Sequence, residues 1–235
     1  MKSDIPLSCN TCVTFKISQL RALHNGELDF IEREKGCSFF KKGQTLLVEG
    51  SRNNGVYCIH KGKVKITRMG PEGKEQIIRF GKEGDLIGYR SLLSGEPVSA
   101  SVYAMEETHA CFLPKHVLFH FIQSNPAFTL DLMKLACKDL GDAGKIITNL
   151  AQKSVRERLA EVLLIIYNTF GEDEEGCLNV TITREEIANM VGTATETVIR
   201  LLSEFKDDHL IENKGRKIKL LNRRELAHIG NVYDY

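Results

Sequence analysis

The spacing of apolar residues changes abruptly at Pro114, and that change limits the folds open to the chain. From Phe39 to Leu113 the apolar residues come in short β-type runs. Examples are Gly55-Val56-Tyr57-Cys58-Ile59-His60, Lys63-Val64-Lys65-Ile66-Thr67 and Gln76-Ile77-Ile78-Arg79-Phe80. Between them lie the turn signals Lys61-Gly62, Gly70-Pro71-Glu72-Gly73 and Gly81-Lys82-Glu83-Gly84-Asp85. Regularly spaced short strands with glycine turns predict an all-β sandwich or barrel. Beyond Pro114 the apolar residues fall three and four apart, the helical spacing. Strands first and helices after them make the expected class α+β, with the two kinds of structure segregated along the chain.

The first long helix is expected from Asn125-Pro126, where proline's missing N–H costs little. It carries two apolar stripes. Leu130, Met133, Cys137, Leu140, Gly144, Ile147 and Ala151 form one, with the spacing of a coiled-coil seam. Leu132, Leu135, Ala143, Ile146 and Leu150 form the other. Two apolar faces need two partners, so one stripe is expected on the β-domain and the other on a second copy of the chain. Burial of the whole helix in a single core is the alternative.

A second helix follows from Val155 to Phe170, then an acidic loop from Gly171 to Gly176. The remainder reads as short strand, helix, turn, helix and hairpin. Thr183-Arg184-Glu185-Glu186 has capping-box spacing, and Ile187, Ala188 and Val191 supply a buried face. Gly192 breaks the helix. Thr193-Ala194-Thr195-Glu196 opens the next, with Val198, Leu201, Leu202 and Phe205 inward. Two short helices joined at a glycine form a helix-turn-helix. Thr195, Glu196, Ile199 and Arg200 then occupy the positions that meet base edges in a major groove. Glu196 lies three residues after Thr193, so closing a capping box is its competing role. Lys214-Gly215-Arg216-Lys217-Ile218-Lys219 fits a basic wing hairpin, with Lys217 on a phosphate, or simply a solvated charged hairpin. Arg184 joins this DNA-contacting set. Net charge is only +1, so the case for nucleic acid rests on these local features and not on bulk basicity.

No apolar run approaches the roughly 20 residues that span a bilayer. Met1 to Pro6 lacks the apolar core of a signal peptide, and a cytoplasmic protein is expected. Seven scattered cysteines do not make a secreted disulfide framework. In a reducing compartment Cys9-Asn10-Thr11-Cys12 reads as a ligand or redox pair.

Taken together these motifs resemble the CRP/FNR family. Thr183 to Ile187, Val191-Gly192 and Glu196-Thr197-Val198-Ile199-Arg200-Leu201-Leu202 resemble its helix-turn-helix. Lys42-Gly43-Gln44-Thr45-Leu46 and Gly84-Asp85-Leu86-Ile87-Gly88 match its β-roll, and Arg156-Glu157-Arg158-Leu159-Ala160 matches the segment after its dimer helix. The resemblance implies an N-terminal β-roll, a jelly roll of cyclic-nucleotide-binding type, over residues 1–122. A dimerisation helix over 123–153 and a winged helix-turn-helix over 154–235 follow. It further implies a homodimer joined at Leu130, Met133, Cys137, Leu140 and Ile147, a palindromic double-stranded DNA site and contact with RNA polymerase. Tyr89 and Val98-Ser99 stand where cyclic-AMP binders carry a glutamate and an Arg-Ser pair, which argues against cyclic AMP. The FNR branch suggests an iron–sulfur cluster on Cys9, Cys12 and Cys111, joined by Cys37; zinc or a thiol switch would need fewer ligands. The rival classes are a cupin-like metalloenzyme, with His116 and His120 sharing a metal, and a free-standing ligand-binding module.

Overall fold

The computed structural model describes residues 8–232; Met1 to Pro6, considered above as a leader, lies outside them. The chain forms two compact units, one comprising the described residues up to Met69 with Ile78–Gly141, the other Gly70–Ile77 with Asp142 onward.

In chain order, three single helical turns, Cys9–Thr11, Thr14–Ile17 and Gln19–Ala22, lead into α1 (Asn25–Glu34). There follow β1 (Gly36–Phe40), β2 (Thr45–Leu47), β3 (Gly55–Lys61), β4 (Val64–Met69), β5 (Glu75–Gly81) and β6 (Leu86–Ile87). Then come α2 (Tyr89–Ser94), β7 (Ser101–Ala104), β8 (Thr108–Pro114), α3 (Lys115–Ser124) and α4 (Pro126–Gln152). The strands make two four-stranded sheets, in the orders β1-β8-β3-β6 and β2-β7-β4-β5. Ile59, Val64, Ile66, Val102, Ala104 and Ala110 come from both sheets and fill the space between them. This is the sandwich that the short glycine-punctuated runs predict.

The first sheet is covered on its outer face as well. Val56, Cys58 and Leu113 pack there against Leu20 and Leu23 of the arm, Leu28 and Ile31 of α1, Val117 and Phe121 of α3, and Phe128 and Leu132 of α4. A strand buried on both faces loses its alternation, which is why β3 reads as a nearly continuous apolar run. Gly88 needs its glycine. Its φ is +91°, and a Cβ there would stand 2.9 Å from Leu47 Cδ1.

Phe128 is fully buried, its ring 6.2 Å from that of Phe121 in an edge-on arrangement. Phe128→Ala should therefore cost about 3–5 kcal/mol of stability through lost transfer energy and a cavity. Denaturant unfolding monitored by circular dichroism checks it. A loss under about 1 kcal/mol would mean that α4 does not anchor on the sheet.

The second stripe of α4 is only partly as expected. Leu132 is buried and Leu135 half-buried, but Ile146 and Leu150 are exposed. The sheet reaches only the N-terminal half of a helix 27 residues long.

In the second unit the elements are α5 (Val155–Phe170), α6 (Arg184–Val191), α7 (Thr195–Asp207), β9 (Ile211–Lys214), β10 (Lys217–Leu220) and α8 (Arg223–Ile229). α5 and α6 start in capping boxes, Ser154 with Glu157 and Thr183 with Glu186, where each partner satisfies the other's free N–H. Two expectations need correction. The short strand before α6 is absent; Leu178 instead makes an isolated bridge to Glu172, and its N–H bonds the carbonyl of Ile218 at 2.8 Å. The terminal helix α8 is an addition to the expected order, because seven residues are too few to display a period. Among the described residues no helix is long and apolar enough to cross a membrane.

Candidate nucleic-acid interface and thiol cluster

α6 and α7 are joined through Gly192, whose φ of +74° is the left-handed C-cap that ends α6. Val198, Leu201, Leu202 and Phe205 are buried on α7, as Ile187, Ala188 and Val191 are on α6. That packing turns the opposite side of α7 to solvent. Glu196, Ile199 and Arg200 are exposed there, and Thr195 is half-buried beside them. The competing capping role of Glu196 does not materialise. The residue preceding α7 is Ala194, and it makes no side-chain cap.

Arg200 ion-pairs with Glu204 one turn along α7. Glu204 also receives Arg156 Nη1 at 3.0 Å, while Arg156 Nη2 reaches Asp208 at 2.8 Å and its guanidinium stacks 4.7 Å from the Phe205 ring. Sequence reading missed this cluster, because Arg156 lies 48 residues from Glu204 and 52 from Asp208.

The other two assigned DNA residues have protein partners. Arg184 donates to Asn213 Oδ1 at 2.9 Å and so ties the start of α6 to the wing; partial burial lowers its pKa. Lys217 Nζ lies 2.6 Å from Asp173 Oδ2, and this hydrogen bond holds the Asp173 carboxyl below its ordinary value. Lys214 and Arg216, at the β9–β10 turn, are exposed.

Along α4 the seam residues stand open. Leu140 is 73% exposed and Ile147 69%, with Leu130, Met133 and Cys137 also exposed. Contiguous apolar exposure of this kind marks an interaction surface.

A second grouping occupies the outer face of the first sheet. β8 pairs with β1 and β3 so that Cys111 faces Cys37 on one side and Cys58 on the other. Cross-strand partners point to the same face, so these three thiols form a row. Cys37 Sγ and Cys111 Sγ are 3.7 Å apart. The arm brings the other pair near: Lys35 Nζ donates to Cys9 Sγ at 3.1 Å, and Cys12 Sγ meets His60 Nδ1 at 3.5 Å. The Lys35 ammonium is also within electrostatic reach of Cys111 and Cys37. Burial pushes the Cys58 thiol up to about 12, and burial with Cys37 alongside raises that of Cys111. Spacing singled out Cys9 and Cys12, and the resemblance to the FNR branch added Cys111 with Cys37 as a fourth; the place of Cys58 in the row depends on strand register. His116 and His120 do not converge, since His116 Nε2 meets Glu34 at 3.1 Å and the His120 ring packs on Phe30 and Phe121.

Within the sandwich Leu47, Ile66, Ile87, Tyr89, Ser99 and Val102 help line a cavity of about 50 Å³. Tyr89 is buried and donates to Asp139 Oδ2 at 2.8 Å; Arg79 donates to Asp139 Oδ1 at 3.2 Å. This network fastens α4 to the β-roll.

The cyclic nucleotide-binding domain family matches residues 38–125, and the Crp-like helix-turn-helix domain family matches residues 157–229. A CRP-like cAMP-activated global transcriptional regulator of Mycobacterium tuberculosis is 30% identical over 190 residues, 80% of this chain and 85% of that one. This chain belongs to the CRP/FNR family. The fumarate and nitrate reduction regulatory protein of Vibrio cholerae is 28% identical over 232 residues, 96% of this chain and 91% of the other. The solved structure of FixK2 from Bradyrhizobium japonicum shares the fold, with TM-score 0.75, 23% identity and coverage of 83% and 96%. This member of the CRP/FNR family is thus a DNA-binding transcription regulator with a helix-turn-helix domain, and its relatives are regulators and not enzymes.

Two groups associated with the CRP/FNR fold can be tested against the residues present. The cavity has room for a few water molecules and not for a cyclic nucleotide. Arg79, which could face a phosphate, is already paired with Asp139. An iron–sulfur cluster needs four converging ligands. Among the described residues no three His, Cys, Asp or Glu side chains come together to hold a metal ion, and a lysine ammonium sits on Cys9. In this arrangement neither group fits.

Proposed function

We propose that this CRP/FNR regulator works as a homodimer joined along α4 and reads a palindromic site with Thr195, Glu196, Ile199 and Arg200 of α7. Its signal is redox in character, received at the thiols of Cys9, Cys12, Cys37 and Cys111, and its output passes to RNA polymerase. The observation that carries the DNA reading is the exposed, uncapped start of α7, with a carboxylate and a guanidinium one turn apart. Arginine donates two bonds to guanine, and a carboxylate accepts from the cytosine amino group. The dimer is supported by the apolar seam of α4, which one copy leaves in water. Arg184 and Lys217 act in this scheme by fixing the wing, since each is engaged by a protein partner.

Selection from a random DNA library with the full-length protein tests the reading. A two-fold symmetric motif containing G·C pairs in each half-site is expected; absence of any enriched sequence would overturn it. The wing offers a contrast. Lys214→Ala with Arg216→Ala should weaken binding to all sequences alike. It should also make the slope of log K against log salt shallower by about 0.9 for each phosphate that the wing no longer neutralises. A change in the selected motif would instead mean that the wing reads bases.

A further inference from the structure

We propose that Cys37 and Cys111 are a dithiol–disulfide pair, the oxidisable site of the sensor domain, for which a hydroperoxide or a small disulfide is the oxidant. This deepens the redox reading proposed above by naming the bond that forms. The two residues are direct partners across β1 and β8, and their sulfurs are 3.7 Å apart. Directly opposed residues of antiparallel strands have Cα atoms about 4.5–5.5 Å apart. That lies inside the roughly 4.4–6.8 Å that a disulfide spans. Closing the sulfurs to about 2.05 Å then takes side-chain rotation and no strand movement. Cys37 is exposed and able to turn. Cys58, on the other side of Cys111, is 7% exposed and sealed in the core, so it does not compete.

The two thiols have different roles. Exposed Cys37 meets the oxidant first. Its thiolate sulfur attacks the terminal oxygen of the hydroperoxide, the O–O bond breaks, and Cys37 sulfenic acid and an alcohol, or water, result. Half-buried Cys111 then attacks the Cys37 sulfur. The S–S bond forms, the S–O bond breaks, and hydroxide leaves as water with the Cys111 proton. Two electrons pass from the pair of thiols to the peroxide. With a small disulfide, Cys37 instead displaces one of its thiols to form a mixed disulfide, Cys111 displaces the second, and the two electrons reduce the disulfide to two thiols. The Lys35 ammonium is within electrostatic reach of both sulfurs and attracts the negative charge that each carries in turn along the sequence.

A different use of the same spacing is a metal. Two thiolates on one tetrahedral ion with bonds of about 2.3 Å stand about 3.8 Å apart. No third ligand converges on the pair among the described residues, and the disulfide needs none.

The test uses the full-length reduced protein, treated with hydrogen peroxide and separately with oxidised glutathione, followed by alkylation and digestion without reductant. Free thiols should fall by two from the 7 of the reduced chain, with a Cys37–Cys111 cross-linked peptide that dithiothreitol removes. Cys37→Ser, at an exposed position, should abolish that peptide and leave Cys111 alkylatable. Lys35→Met should slow the cross-link. A cross-link confined to Cys9–Cys12 or running between chains would overturn the proposal. So would thiols that react only after a chelator has stripped a metal. A gel shift on the same samples separates the two readings. Sequence-specific DNA binding without the cross-link leaves the regulator and removes this pair; the cross-link without DNA binding does the reverse.

Discussion

Met133→Lys combined with Leu140→Lys should give a monomer that no longer retains a palindromic site at concentrations where the native protein does. Both side chains lie on the seam of α4, exposed in one copy and outside the cluster that holds the helix on the β-roll. Burying a side chain of this size is worth about 1.5–3 kcal/mol. Each change occurs twice in a symmetric dimer. Removing four such side chains, even at the lower figure, raises the dissociation constant by about four decades. The folded protomer should survive, since Phe128 and Leu132 still anchor the helix. Sedimentation velocity gives the mass and a gel shift the binding. A double variant that remains dimeric would place the interface elsewhere.

Arg200→Ala should weaken specific binding while sparing the fold. The residue is exposed on α7 and pairs with Glu204, an exposed ion pair of small worth to stability. Loss of a bidentate guanine interaction costs about 1–3 kcal/mol. A palindrome presents that interaction twice, so specific affinity should fall by roughly 30-fold to 10⁴-fold. Base preference should flatten at one position of each half-site. Arg200→Lys should rescue little, because an ammonium lacks the planar fork. The ion pair adds a condition: Glu204 must release Arg200 as DNA arrives, and Arg156 remains to satisfy its carboxylate. Library selection decides. An unchanged motif at undiminished stringency would return Arg200 to a surface role.

Much of the fold is legible without coordinates. α5 runs from Val155 to Phe170 as the pattern indicates, because Ser154 and Glu157 cap it and apolar residues recur at helical spacing. The helix-turn-helix is legible for the same reason, with Gly192 at a left-handed φ between two apolar faces. The seam of α4 is legible as a stripe that one copy cannot cover. The place of Glu196 is not, since Thr193 offers a capping partner that backbone geometry passes over in favour of Ala194.

What the sequence determined by itself is everything that acts within about one helical turn or one strand pleat: caps, stripes, glycine turns and the exposed start of α7. These depend on neighbours three or four residues away, whose geometry the backbone imposes. The tertiary structure alone decided which distant side chains meet. Arg184 finds Asn213 29 residues away, Lys217 finds Asp173 at 44, and Cys37 finds Cys111 at 74. Strand register brings the two thiols together. A slip of one residue would send one of them to the opposite face of the sheet, and that register is selected by the packing of the whole sandwich and not by any stretch of the chain.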